Sequence, residues 1–190
     1  MTPAVFLDRD GTLIEEVGYL DRLERLALFP YSIDAVRLLN RAGFHVVVVT
    51  NQPGVAHGLI EEQFLAEAHR YLDAKMTAAG ARVDAYYYCP HHPDAAVEMY
   101  RMKCECRKPG PGMIRNAVRD LDLDIRQSFV VGDHWVDVGM GKAAGVTSIL
   151  VRTGHGKAEE VRPRDGITAD VIVANLIEAA TWILRHNANP

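Results

Sequence analysis

The chain has 190 residues, 48% of them apolar and 24% charged, with a formal net charge of −4. That length accommodates one full hydrophobic core, and that balance lacks the strong basicity of nucleic-acid and membrane-surface proteins. No apolar stretch reaches the length of a membrane span and no basic, then apolar, leader opens the chain, so the expectation is a cytoplasmic protein with one domain over residues 1–190.

Residues 4–7 are apolar and stop at Asp8, which reads as a short buried strand. The spacing of Ile33, Val36, Leu38 and Leu39 predicts a helix over 31–42, closed by Gly43. Residues 44–49 form an apolar run rich in valine, the pattern of a parallel strand covered on both faces. The TNQPG that follows reads as a loop. A long helix is predicted over 61–79, a strand over 84–88 and a loop over 89–111. Next come a helix over 112–121, a strand over 128–132, a helix over 135–144 and a strand over 147–151. A polar stretch, 152–169, leads to a short strand over 171–173 and a final helix over 176–186. Strands alternating with helices predict an α/β fold, a Rossmann-like parallel sheet with helices on both faces. Ligands in such sheets bind beyond the carboxyl ends of the strands. Three predicted strand ends, at Asp8, Thr50 and Asp133, deliver polar groups to that edge.

Asp8 and Asp10 are two residues apart, so in an extended chain both point one way while Arg9 points elsewhere. Gly11 then lets the backbone turn. Two close carboxylates repel and call for a shared proton or a cation. Oxygen donors suit Mg²⁺, and Asp133 and Asp137 in GDHWVD are placed to complete its site. Taken alone, a DxD pair is as well explained by a turn or a helix cap.

In order along the chain, DRDGTL, Thr50 after VVVV, Lys108 in CRKP, and GDHWVD resemble the four motifs of the haloacid dehalogenase (HAD) superfamily of phosphotransferases. The resemblance implies a mechanism. Asp8 is the nucleophile that forms an aspartyl-phosphate, and Asp10 is the general acid and base. Mg²⁺ is held by Asp8, the Asp10 backbone carbonyl and Asp133. Thr50 and Asn51 donate to phosphoryl oxygens, and Lys108 stabilises the charge of nucleophile and phosphate. Asp137 is a supporting group that orients Lys108 or a metal-bound water. Arg9 is structural or peripheral, and His134 is read as a helix-start residue with no chemical task.

The three cysteines, Cys89, Cys104 and Cys106, fall in one short window. An odd number so clustered argues for a metal and against a disulfide framework. Cys89-Pro-His91 and Cys104-Glu-Cys106 form a Cys₃His set suited to structural Zn²⁺, with His92 as a competing ligand. All four positions being protein groups, no place is left for a reactive water. The loop at about 89–107 would then be pinned ahead of Lys108.

The stretches DRDGTLIEEVGYL, VVVVTNQPGVAHG, YYYCPHHP, CECRKPGPGM and LVRTG resemble the zinc-loop HAD phosphatases of minimal cap that act on heptose 1,7-bisphosphate. The histidinol-phosphate phosphatases are near relatives of that family. The resemblance implies release of the 7-phosphate from a phosphorylated sugar, within lipopolysaccharide-related carbohydrate metabolism. The sequence shows few long apolar surface stripes, so the expectation is a monomer. Arg107 is then the candidate grip on the distal phosphate, a task a guanidinium performs bidentately, or else forms a surface ion pair. His57 and Gly58 border the sugar. Other small-metabolite phosphatases and a non-enzymatic zinc-stabilised binding protein are the alternatives.

Overall fold

A computed structural model describes residues 1–162, 164 and 166–187 of the chain. Residues 163 and 165 of the polar stretch, and 188–190 at the end of the expected domain, lie outside the described residues. In chain order the elements are β1 (Ala4–Leu7), α1 (Ser32–Arg41), β2 (His45–Asn51), α2 (Pro53–Ala56), α3 (Glu62–Ala78), β3 (Ala85–Cys89) and α4 (Gly112–Leu121). Then follow β4 (Phe129–Gly132), α5 (Trp135–Ala144), β5 (Thr147–Val151), α6 (Gly156–Glu160), β6 (Val171–Val173) and α7 (Leu176–Asn187).

The six strands form one parallel sheet in the order β3-β2-β1-β4-β5-β6. Successive side chains of a strand alternate between its faces, and the core divides accordingly. Val5 and Leu7 join Val46, Val48, Val131, Ile149 and the α7 residues Leu176 and Ile183 on one face. Ala4 and Phe6 join Val47, Val49, Val130, Met113 and Met140 on the other. With both faces covered, β1 and the valines of β2 are wholly shielded from solvent. Truncating such a side chain, as in Leu7→Ala, costs about 2–5 kcal/mol.

Strand order reverses direction beside β1, which pairs with β2 on one flank and β4 on the other. This is the switch point at which a parallel sheet opens a crevice. Two local features depart from expectation. β2 continues through Thr50 and Asn51, which pair with Tyr88 and Cys89, so these two residues are strand rather than loop. The loop after β2 and the polar stretch after β5 each contain a short helix, α2 and α6.

Candidate active site and metal centres

Asp8 leaves the end of β1 and Asp133 the end of β4, on either side of the switch point. Asp137 lies in the first turn of α5. The three buried carboxylates bring oxygens within 4.8 Å of one another. Lys108, from the loop between β3 and α4, donates to Asp8 Oδ1 at 2.5 Å and to Asp137 Oδ1 at 2.6 Å. Burial works to lower the Lys108 pKa, but Asp137 and Asp8 outweigh it and hold the ammonium firmly charged. Burial, with the neighbouring Asp137 and Asp10 charges, pushes Asp8 up to about 7 against the opposing pull of Lys108. Burial and the Asp8 charge push Asp133 up to about 9. Three carboxylates thus face one ammonium, and the surplus negative charge is what a divalent, oxygen-seeking cation offsets. The donor set fits Mg²⁺.

The backbone is cut to fit Asp133. Gly11 and Gly154 both have positive φ, and a β-carbon at either would collide with the Asp133 carboxylate. The His155 N–H donates to Asp133 Oδ2 at 2.7 Å. His134 starts α5 as its cap: its Nδ1 accepts from the Val136 N–H, and Asp137 Oδ2 accepts from the His134 N–H at 3.1 Å. That reciprocal cap fixes the Asp137 carboxylate that meets Lys108.

Asp10 sits beside this group under several donors. Gln52 Nε2 donates to its Oδ2 at 2.8 Å, and Thr50 Oγ1 at 3.4 Å. Arg9 adds Nε to Oδ2 at 3.0 Å and Nη2 to Oδ1 at 3.1 Å. Asn51 grips the backbone of Lys108, accepting from its N–H at 3.0 Å and donating to its carbonyl at 3.4 Å. An open cleft of about 260 Å³ runs over this edge, lined among others by Asp10, Glu16, Asn51, Gln52 and His155.

At and beyond the last residue of β3, Cys89, His91, Cys104 and Cys106 place their ligand atoms within 4.8 Å of one another. Cys106 Sγ lies 3.1 Å from both Cys89 Sγ and Cys104 Sγ, and His91 Nδ1 lies 3.4 Å from Cys106 Sγ. Those sulfur separations are too long for disulfides and lie inside the ~3.8 Å edge of a tetrahedral site with zinc–sulfur bonds of about 2.3 Å. Burial raises the Cys89 thiol pKa, while hydrogen bonds from Cys106 and Cys89 outweigh burial and lower that of Cys104. The set fits Zn²⁺, which binds the thiolate forms. His92 is not part of it: its Nδ1 accepts from the Asp94 N–H and its ring lies 4.9 Å from that of His57.

The structure therefore gathers Asp8, Asp10, Thr50, Lys108, Asp133 and Asp137 at one sheet edge, and Cys89, His91, Cys104 and Cys106 at a second centre. Asn51 reaches Lys108. Arg107 donates to the His91 carbonyl at 3.1 Å and so lies against the zinc loop, as does His57 through His92. Sequence reasoning missed Gln52 and His69. Gln52 stands two residues after Thr50, one residue past the end of β2, where its N–H still donates to the Cys89 carbonyl at 2.8 Å; carrying the strand alternation one step beyond β2 would have exposed it.

A family model described as HAD-hydrolase-like matches residues 105–179. The D-glycero-beta-D-manno-heptose-1,7-bisphosphate 7-phosphatase of Escherichia coli (strain K12) is 39% identical over 97% of this chain and 95% of its own. The enzyme of that name from Photorhabdus laumondii is 41% identical over 80% of this chain and 81% of its own. Among solved structures, the D,D-heptose 1,7-bisphosphate phosphatase from B. bronchiseptica, complexed with magnesium and phosphate, superposes with a TM-score of 0.85 at 31% identity, covering 97% of this chain and 99% of that one.

Proposed function

The chain belongs to the D-glycero-beta-D-manno-heptose-1,7-bisphosphate 7-phosphatase family of HAD-like hydrolases, and from that premise we propose that it hydrolyses the 7-phosphate of the β-anomeric heptose bisphosphate through an aspartyl-phosphate. The observation that carries this reading is the Lys108 ammonium held 2.5 Å from Asp8 Oδ1, with the anchored Asp10 beside it. Asp8 attacks phosphorus, and the bond from phosphorus to the C7 oxygen breaks. Asp10 gives its proton to that oxygen and then takes one from the water that attacks the phosphorus of the intermediate. That second attack breaks the bond to Asp8 and releases inorganic phosphate. Lys108 and Thr50 stabilise the charge on nucleophile and phosphoryl oxygens. Asn51 borders the cleft and sets the height of Lys108.

Asp8, the Asp10 backbone carbonyl and Asp133 would hold Mg²⁺, which supplies charge neutralisation between carboxylate and phosphate. Cys89, His91, Cys104 and Cys106 would hold a structural Zn²⁺ that fixes the loop leading to Arg107 and Lys108. Arg107 grips the distal 1-phosphate, and His57 borders the sugar. Three cysteines outside any disulfide suit a reducing compartment. The reading is of one cytoplasmic, monomeric domain over residues 1–190 that takes every catalytic group from a single chain.

Side-by-side phosphate release from the α and β anomers of heptose 1,7-bisphosphate and from histidinol phosphate, with and without Mg²⁺, tests the assignment. The expected result is a kcat/KM on the β anomer at least ~100-fold above that on histidinol phosphate, a discrimination of roughly 2.7 kcal/mol. Preference for histidinol phosphate would overturn the substrate and leave the chemistry standing.

A further inference from the structure

Arg9 is only 1% exposed, an unusual burial for a guanidinium. One side of it faces Asp10 through Nε and Nη2, at 3.0 and 3.1 Å. The other side turns inward, where Nη1 lies 3.5 Å from His69 Nε2. A guanidinium has five N–H donors and no acceptor. His69 Nε2 must therefore present its lone pair, which places the ring proton on Nδ1. The ring is neutral: burial and the Arg9 charge hold its pKa down at about 4. His69 is 8% exposed, belongs to α3 and lies nearly parallel to the Tyr86 ring of β3, with centroids 4.6 Å apart and planes 17° apart. It is thus wedged between a helix and the sheet, with one lone pair aimed at Arg9.

Asp10 is consequently held from two directions. Thr50 and Gln52 approach from the end of β2, and Arg9, backed by His69, approaches from under α3. We infer that Arg9 and His69 are positioning residues for Asp10: the neutral His69 imidazole anchors the Arg9 guanidinium, whose two-nitrogen grip sets where the Asp10 carboxyl meets the leaving-group oxygen. The inference rests on the phosphatase reading in which Asp10 protonates that oxygen. Small misplacements of an acid/base group are costly because proton transfer needs heavy atoms within hydrogen-bond reach.

A positioning role leaves a signature that a packing role does not. The quantity kcat/KM reports steps only through departure of the leaving group. An alkyl phosphate must have its departing oxygen protonated, whereas p-nitrophenyl phosphate expels a stable anion. The test compares both esters, with simple alkyl phosphates included beside heptose 1,7-bisphosphate. His69→Phe keeps a ring against Tyr86 and removes the lone pair; His69→Gln restores an acceptor. H69F is expected to lower kcat/KM on alkyl esters by ~10-fold or more while changing it on the aryl ester by less than ~2-fold, and H69Q to recover most of the loss. Thermal melts accompany both variants. If H69F melts below the assay temperature, Arg9→Lys, which keeps the charge and loses the two-nitrogen grip, must show the same ester-dependent loss. Equal losses on both esters, or none on the alkyl ester, would overturn the inference. A wild type that turns over simple alkyl phosphates but not heptose bisphosphate removes the substrate assignment and leaves this comparison decisive. A wild type inactive on every ester removes the phosphatase reading and the inference with it.

Discussion

Lys108 holds its ammonium 2.5 Å from Asp8 Oδ1 although 100 positions of sequence separate the two residues. Their meeting depends on Asn51, which clasps the Lys108 backbone from the end of β2, and on Asp137, whose Oδ1 accepts a second hydrogen bond from the ammonium at 2.6 Å. Replacing Lys108 by methionine would leave Asp8, Asp133 and Asp137 without their buried cation. Removing one partner of a buried pair costs about 3–5 kcal/mol, and loss of a preorganised charge at the phosphoryl group costs ~10²–10³ in kcat. K108M is therefore expected to melt earlier and to lose at least that factor in Mg²⁺-dependent phosphate release. A variant that keeps wild-type kcat would show that Lys108 is not part of the reaction.

The same charge cluster makes stability depend on pH. Burial and mutual repulsion raise Asp8 to about 7 and Asp133 to about 9. Above about pH 4 the unfolded chain has released these protons while the magnesium-free folded chain still holds them. Folded stability therefore falls as pH rises, through the Asp8 contribution up to about 7 and the Asp133 contribution up to about 9. Mg²⁺ binds the ionised carboxylates, so its stabilising effect grows over the same range. Melting zinc-replete protein from about pH 6 to about pH 9, with and without Mg²⁺, checks both trends. Asp133→Asn should flatten the upper part of the curve. A magnesium-induced shift in Tm independent of pH would contradict the assignment of these carboxylates.

Zinc removal should act on catalysis from a distance. Cys104 and Cys106 lie just before Lys108 in the chain, and Arg107 donates to the carbonyl of His91. Two of the candidate zinc ligands, Arg107 and Lys108 are therefore on one short run of backbone. Stripping zinc with a chelator and restoring Mg²⁺ alone is expected to leave kcat at least ~10-fold down, because a misplaced catalytic group loses rate steeply. Returning zinc should restore it. Metal analysis should find one zinc for each chain and none in Cys106→Ser. Full activity in zinc-free protein would confine the metal to stability.

These dependences also explain which parts of the site were legible before the structure. Asp8 and Asp133 stand where apolar strands stop, so their convergence followed from the α/β alternation, whereas Lys108 was drawn to the same edge only by the resemblance of CRKP to a HAD motif. The four- and five-residue helices α2 and α6 are too short for an amphipathic repeat and left no periodic signal. His91 and His92 are adjacent and chemically equal in sequence. Only the fold assigns His91 to the metal: its Nδ1 lies 3.4 Å from Cys106 Sγ, while His92 accepts from the Asp94 N–H and sets its ring beside that of His57. Nothing about His69 in the middle of α3 distinguishes it from a helix residue packed on the core. Its role depends on the distance between α3 and the end of β1, which is a tertiary quantity.

The proposed role of Arg107 in gripping the distal phosphate predicts an effect on substrate recognition separate from chemistry. Its Nη1 is engaged with the His91 carbonyl at 3.1 Å, which leaves other donors of the guanidinium for an anion. A charged hydrogen bond to phosphate is worth about 1.5–3 kcal/mol, or roughly 10–100-fold. R107A should raise KM for the heptose bisphosphate by that factor and leave turnover of a heptose 7-monophosphate near wild type. An equal loss on both substrates would instead assign Arg107 to holding the zinc loop.

Gly154 offers the sharpest separation of metal binding from folding. It lies in the loop after β5 with φ of +53°, and an added β-carbon there would strike both the Asp133 carboxylate and the Gly11 backbone. Asp133 cannot yield freely, because His155 N–H holds its Oδ2 at 2.7 Å and its carboxylate is buried against Asp8. The displaced group in Gly154→Ala is therefore a proposed magnesium ligand, whereas the sheet core lies below it. Perturbing the groups that orient a ligand typically costs ~10–100-fold in metal affinity. G154A is expected to need at least ~10-fold more Mg²⁺ for half-maximal activity, with kcat at saturating Mg²⁺ recovering more than kcat at low Mg²⁺. Titrating phosphate release against Mg²⁺ measures both quantities. A variant that folds and responds to Mg²⁺ like the wild type would mean that Asp133 does not bind the catalytic metal.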